Sequence, residues 1–339
     1  MSTGRTLRTH HHRKSVKLLK NFLPFLIGIP ILWGIQLISP PHIAIILVNV
    51  GVNIILAVSL NVVNGFTGQF SIGHAGFMAA GAYTTAKITL ALQDTLLPGL
   101  SPWLSTQTIF LMALVAGMLL SGTMGLLVGM PSLRLRGDYL AIVTLGFNEI
   151  IRVFIENIRW LGGATGLSGV PPYTTLVWVG LGAIATISMA RRLVSSTHGR
   201  ALLAIREDEI AAEAMGVNTT KYKIRAFVIS SAFAGLGGGL LGHYILLVTP
   251  KTFTFIKSME VVGMVVLGGM GSISGSIISA TLLTVLLEGL RGLDQYRMVM
   301  YALLLVILML TRPTGLFGTH EIWDVLSRYF PKRKAVQKA

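Results

Sequence analysis

The feature that most constrains this chain is a series of ten apolar stretches, most of them close to the ~18–20 residues a helix needs to cross bilayer hydrocarbon. They run over 21–39, 43–63, 70–92, 108–130, 139–157, 174–190, 224–248, 259–270, 275–290 and 298–311. The third is Gly-rich and the eighth is short, so these two are the weakest. One soluble core has no room for so many such segments. Only 12% of the 339 residues are charged and 53% are hydrophobic, which excludes a disordered chain. The expected fold is an all-α polytopic membrane protein of about ten transmembrane helices, because lipid demands that each segment satisfy its own backbone. There are no cysteines, so disulfides, thiolate metal sites and cysteine nucleophiles are excluded.

Direction follows from the basic residues. The chain carries 28 Lys and Arg against 13 Asp and Glu, a formal charge of +15. With the N-terminus inside and ten alternating spans, 21 of the 28 fall on the inner side, 5 on the outer side and 2 within spans. The basic-inside bias therefore fixes the orientation, and an even span number puts both termini in the cytoplasm. The expected organisation is a basic N-terminal tail (1–20), a transmembrane domain (21–311) containing a cytoplasmic loop (191–223), and a basic C-terminal tail (312–339). Ser39-Pro40-Pro41-His42 is not a small-x-small cleavage site, so the first stretch reads as a span rather than a signal peptide. A nucleic-acid partner is not expected, since the basic residues lie in tails and a loop without interleaved aromatics.

Several catalytic signatures are missing. No Gly-Lys pair occurs, so there is no phosphate-cradling Walker A loop, and there is no His-Glu-x-x-His. A Gly-x-Gly-x-x-Gly match at Gly237, Gly239 and Gly242 lies inside an apolar span. There it reads as close helix packing, with Gly235 and Gly239, or Gly238 and Gly242, four residues apart. The His10-His11-His12 triplet has no partner cluster and reads as solvated tail. Neither an enzyme nor a cofactor is expected.

The loop over 191–223 is not a random linker. Residues 199–206 read as a short helix. Asp208 suits the cap of a second helix, with Glu209 in its first turn where the dipole favours it. That helix places Ile210, Ala211 and Ala214 on one side and stops at Gly216, which can adopt the left-handed conformation. A small apolar surface flanked by charge suits docking in a groove of another protein. The alternative is two helices packed back on the protein's own membrane face.

Within the spans, Gly-rich stretches at 61–83 and 264–275 interrupt the apolar pattern, and irregular backbone at that depth must be buried or reached by water. Asn61, Asn64, Gly65, Ser71, Gly73 and His74 form one polar group suited to lining a substrate path, whereas Asn53 suits interhelical hydrogen bonding. The same residue types in the first group can also serve as glue. Glu149 and Arg152, three apart on one helix, can pair with each other. Spans two to five and seven to ten run in opposite senses, which suggests two inverted repeats.

The loop residues Gly199-Arg200-Ala201, Arg206-Glu207-Asp208-Glu209 and Glu213-Ala214-Met215-Gly216-Val217 resemble the coupling loop of bacterial ABC importer permeases. More narrowly, they resemble LivM-type permeases of branched-chain amino acid transporters. Three further stretches share the resemblance. The first is Ser59-Leu60-Asn61-Val62-Val63-Asn64-Gly65 with Ser71-Ile72-Gly73-His74-Ala75-Gly76-Phe77. The second is Arg136-Gly137-Asp138-Tyr139-Leu140-Ala141, and the third Gly268-Gly269-Met270-Gly271-Ser272-Ile273-Ser274-Gly275. One departure is that no Ile-x-Leu-Pro follows Gly216, which leaves the contact residues less defined. The resemblance implies a heterodimer with a second permease subunit, two ABC ATPase subunits at the cytoplasmic loop, and an extracytoplasmic substrate-binding protein. The setting it implies is the bacterial plasma (inner) membrane. ATPase coupling would then fall to Gly199, Arg200, Ala201, Arg206, Asp208, Glu209, Glu213, Ala214 and Gly216. The implied cargo is a branched-chain or similar amino acid. Related permeases carry urea, amides or short peptides, and an ion-coupled secondary transporter is the reading from a different class.

Overall fold

The computed structural model describes residues 28–93, 101–132, 137–312, 314–318 and 321. The N-terminal tail, most of the C-terminal tail and residues 133–136 lie outside this set, so the expectations placed on them have no structural counterpart. Ten helices coincide with the ten apolar stretches. They are α1 (Gly28–Ile38), α2 (Pro41–Asn64), α3 (His74–Leu92), α4 (Pro102–Ser132), α5 (Asp138–Asn157), α6 (Leu176–Ser195), α9 (Thr219–Ile245), α10 (Phe255–Gly268), α11 (Ile273–Gly289) and α12 (Arg297–Thr311). Between α6 and α9 lie two short helices, α7 (Thr197–Glu207) and α8 (Glu209–Ala214). Five helices, α2, α4, α6, α9 and α11, are long and apolar enough by themselves to cross a membrane. The protein is thus an all-α membrane protein. The strand content among the described residues is one two-residue antiparallel pair, β1 (Leu167–Ser168) with β2 (Leu247–Val248), in the register Leu167 opposite Val248.

Local sequence explains the boundaries. Pro40 and Pro41 separate α1 from α2, with Pro41 at the first helical position, where its missing N–H costs nothing. α6 runs past its apolar stretch to Ser195. Arg191 and Arg192 thus belong to the helix rather than to the loop, with Arg192 in the last turn, where the helix dipole favours a cation. α4 extends beyond 108–130 at both ends, and α10 starts four residues earlier than the pattern over 259–270 suggests.

The core forms around α2 and α9. α9 packs on α2, α3 and α4, while α11 packs on α2 and α10, and α6 on α2. Glycine sets the closeness of the α3–α4–α9 crossing. A Cβ on Gly81 would lie 2.2 Å from the Gly235 Cα, and one on Gly235 would lie 3.0 Å from the Gly117 carbonyl oxygen. Gly235 and Gly239 both face helix neighbours, so the glycine run is a packing surface. With backbones this close, dispersion and small-residue packing hold the helices where lipid removes the hydrophobic drive. Buried hydroxyls are satisfied locally. Thr85, Thr186, Ser231 and Thr284 each donate to the carbonyl four residues earlier. The outer faces of α1, α4, α5 and α12 carry exposed Trp33, Leu119, Ile142, Phe154 and Leu310, a surface suited to lipid or another subunit.

Candidate functional site

The segment between α6 and α9 builds a compact projection. Ser196 caps α7, its hydroxyl accepting from the Gly199 N–H at 3.2 Å. Gly199 is buried, and a Cβ there would lie 2.2 Å from the Val194 carbonyl oxygen, so only glycine lets α7 fold back on the end of α6. α7 turns Leu202 and Ile205 inward, and Leu202 joins Val58, Val62, Phe66 and Ile273 in a cluster at this end of the bundle. Arg200 is exposed and Ala201 half-buried.

α8 is held from both sides. Asp208 accepts from the Ile210 and Ala211 N–H groups at 2.8 and 3.0 Å, satisfying two donors that every helix start leaves free. Glu209 pairs with Lys223 of α9 at 2.5 Å, and the lysine side chain is only 5% exposed. Glu213 accepts from the Thr219 hydroxyl at 2.6 Å. Gly216, at φ 82°, reverses the chain after Met215. Ala212 faces inward, while Ile210 (66% exposed), Ala211, Ala214 and Met215 (83% exposed) face outward. The two readings of the loop therefore divide between its helices, α7 packing back and α8 presenting an apolar face. Asn218 caps α9 by accepting from the Lys221 N–H at 3.0 Å.

The interrupted spans narrow to two short breaks, 65–73 between α2 and α3 and 269–272 between α10 and α11. Asn61 and Asn64 stay on helix α2. The Asn61 amide donates to the Ser272 carbonyl and the Ser276 hydroxyl, both at 2.9 Å, and accepts from the Gly271 N–H at 2.9 Å. It thereby ties one break to the other. Asn64 accepts from the Ser71 N–H at 3.1 Å and donates to the Ser71 carbonyl at 3.3 Å, folding the first break on itself. Gly73 sits against the Thr144 backbone, and His74 Nε2 lies 2.9 Å from Ser59 Oγ. Asn61, Asn64, Gly65, Ser71, Gly73 and His74 are all buried, and none lines the apolar cavity on the far side of α3. Asn53 donates to Thr284 at 2.8 Å and accepts from Lys257 at 3.2 Å, an interhelical bond of the expected kind.

That cavity, about 530 Å³, lies between α3, α4 and α5 and is lined by Ile88, Met124, Phe147, Ile151 and Phe154, with Lys87 held 4.7 Å from the Trp160 ring. On α5, Arg152 bridges Glu149 at 2.7 Å and Glu156 at 3.0 Å, so the expected pair is a triad. Lys223 and Glu321 went unrecognised in the sequence. Glu321 accepts from the Ile273 and Ser274 N–H groups at 2.8 and 3.0 Å and from the Ser274 hydroxyl at 2.6 Å, capping α11. Neither carries a local signal, since the partner of each is distant in the chain.

The profile of the family described as "Branched-chain amino acid transport system / permease component" matches residues 42–309. The chain is 38% identical over 298 residues to the LivM permease protein of a high-affinity branched-chain amino acid transport system in Salmonella typhimurium. The match covers 78% of this chain and 67% of that relative. It is also 26% identical over 291 residues to the LivH permease protein of the Escherichia coli system, covering 80% of this chain and 92% of the relative. A probable LivM permease of Methanocaldococcus jannaschii is 24% identical over 280 residues, covering 75% and 79%. No solved structure matches the chain. With a profile match over residues 42–309 and 38% identity to a LivM permease over most of its length, the chain belongs to the family of permease components of branched-chain amino acid transport systems.

Proposed function

We propose that this permease subunit forms half of a translocation path for branched-chain or similar amino acids in a bacterial inner membrane. ATP hydrolysed on partner ABC subunits drives it. The observation that carries this reading is α8. An exposed apolar surface of Ile210, Ala211, Ala214 and Met215 stands on the side where the basic residues concentrate. It is fixed by Asp208, the Glu209–Lys223 pair and the Glu213–Thr219 bond. An apolar patch held rigid outside the bilayer suits a groove in an ATPase. Division of labour is supported by the missing Walker A loop, which leaves this polypeptide without phosphate-cradling chemistry.

The chain resembles both LivM and LivH relatives, which supports pairing with a second, related permease. An extracytoplasmic binding protein delivers the cargo. Ten spans with both termini inside, arranged as two inverted repeats, fit the inside bias of Lys and Arg. Asn61, Asn64, Gly65, Ser71, Gly73 and His74 form the inner boundary of the path. The Asn61, Asn64 and His74 side chains are engaged with protein in this conformation, so they meet cargo only after the breaks rearrange.

Ala214→Arg tests the docking surface. A guanidinium in the centre of the apolar patch is expected to abolish ATPase association and uptake while the permease still folds, because Ala214 touches nothing that holds α8. Association and uptake at wild-type level would refute the reading.

A further inference from the structure

Arg206 lies in the last turn of α7, and in sequence it reads as part of the surface offered to an ATPase. In the structure its side chain turns the other way. Its Nη1 donates to the Gly65 carbonyl at 3.2 Å, at the place where α2 ends. Its stem lies against Gly68, where a Cβ would sit 2.9 Å from the Arg206 Cγ. Across the second break, a Cβ on Gly271 would sit 2.6 Å from Nη1. The guanidinium thus stands at the junction of the two breaks, beside the Asn61 amide that joins them.

Three features suit this position to a cation with a fork of donors. A helix C-terminus leaves carbonyls unpaired and carries partial negative charge, so a cation there is favoured. Glu207 accepts from Arg206 Nε at 3.2 Å and Nη2 at 2.7 Å, and this two-point grip leaves Nη1 aimed at Gly65. A lysine has no planar fork and cannot hold both partners in this geometry. On its other side Arg206 is joined to α8 through Glu207, the last residue of α7, and the single linking residue Asp208, and α8 is itself clamped to α9.

We propose that Arg206 is the positioning residue that carries displacement of the α7–α8 projection to the two intramembrane breaks, by pinning the end of α7 to the latch that Asn61 makes between them. The proposal rests on the docking reading of α8. Movement of α8 then reaches the membrane interior at one point, where the first break, the second break and α11 meet. A shift of Arg206 withdraws the donor from Gly65 and opens the space at Gly271, freeing the segment from Gly65 to Gly73 to move relative to α11.

The test uses the full transporter in proteoliposomes, this chain with its second permease, ATPase subunits and binding protein, and leucine as cargo. Three quantities are read for wild type and Arg206→Ala: ATPase association, ATP hydrolysed and leucine taken up. Expected is unchanged association, hydrolysis within about twofold, and uptake per ATP lowered by about tenfold or more, the size of one lost charge-assisted hydrogen bond. A wild-type ratio of uptake to hydrolysis overturns the proposal. So does loss of ATPase association, which would make Arg206 a docking contact. If Arg206→Ala does not assemble, Arg206→Lys carries the test, and a wild-type ratio there overturns the requirement for the fork. A purely structural arginine would lower thermal stability and leave the ratio unchanged. Failure of the docking reading shows separately, as ATPase association that survives Ala214→Arg.

Discussion

Asn61→Ala is the sharpest probe of how the interrupted spans hold together. The amide makes three bonds of 2.9 Å, to the Ser272 carbonyl, the Ser276 hydroxyl and the Gly271 N–H. The consequences of truncation differ among them. The Ser272 carbonyl keeps the Ser276 hydroxyl as a donor at 3.1 Å, so it is not orphaned. The Gly271 N–H loses its acceptor in a buried setting, a loss of about 1–3 kcal/mol. The two donated bonds contribute about 0.6 kcal/mol each, as interhelical bonds in membranes do on average. Together these give roughly 2–4 kcal/mol of destabilisation. In thermal unfolding of the purified permease in detergent, that corresponds to a midpoint lower by about 4–8 °C, taking about 2 °C per kcal/mol for a large chain. Asn61→Asp retains the acceptor for Gly271 but aims a carboxylate oxygen at the Ser272 carbonyl, and is expected to be at least as damaging. A double-mutant cycle with Ser276→Ala should show coupling of at least about 0.5 kcal/mol. A shift below about 1 °C in Asn61→Ala, or strict additivity with Ser276→Ala, would refute the latch as a structural tie.

The remaining predictions concern the other supports of the same machinery. Glu209→Ala strands the buried Lys223 ammonium. After allowance for the exposed quarter of Glu209, about 2 kcal/mol of stability should be lost in the loop. Adding Lys223→Met should restore at least half of it, as read by protease susceptibility between α7 and α9. Gly235→Val pushes methyl groups into Ser121 and the Gly117 carbonyl, and is expected to prevent assembly of α3, α4 and α9, seen as loss of monodisperse protein in gel filtration. Glu321→Gln keeps an acceptor at the start of α11 but removes the negative charge favoured there. It should lower the melting temperature by only a degree or two, about 0.5 kcal/mol. The purified chain alone should turn over no ATP, and measurable hydrolysis would overturn the division of labour.

What could be read from the chain alone follows from the range of the forces involved. Apolar length is a local property, so ten helices fall on ten apolar stretches. Capping is equally local, and Asp208 and Gly216 act as their residue types and spacing suggest. The glycines of α9 signalled close packing because the four-residue spacing places them on one face. Partners far apart in the chain were not legible. Asn61 meets Ser272 across 211 positions and Glu321 meets Ser274 across 47, and no period or motif encodes such pairings. The direction of Arg206 was missed for a related reason. On helical spacing alone it belongs to the charged rim of the loop, and the glycines at 68 and 271 leave room for it to turn inward. The pairing of β1 with β2 likewise joins two loops whose sequences have no strand signal.

The central claim is tested most directly by leucine uptake into proteoliposomes that contain the complete transporter. The binding protein is placed outside and ATP inside, with wild type compared against Ala214→Arg. The account predicts uptake that requires hydrolysable ATP, is indifferent to an imposed proton or sodium gradient, and disappears in Ala214→Arg together with the ATPase subunits. Uptake by this chain and its paired permease without ATPase subunits, driven by an ion gradient, would contradict it.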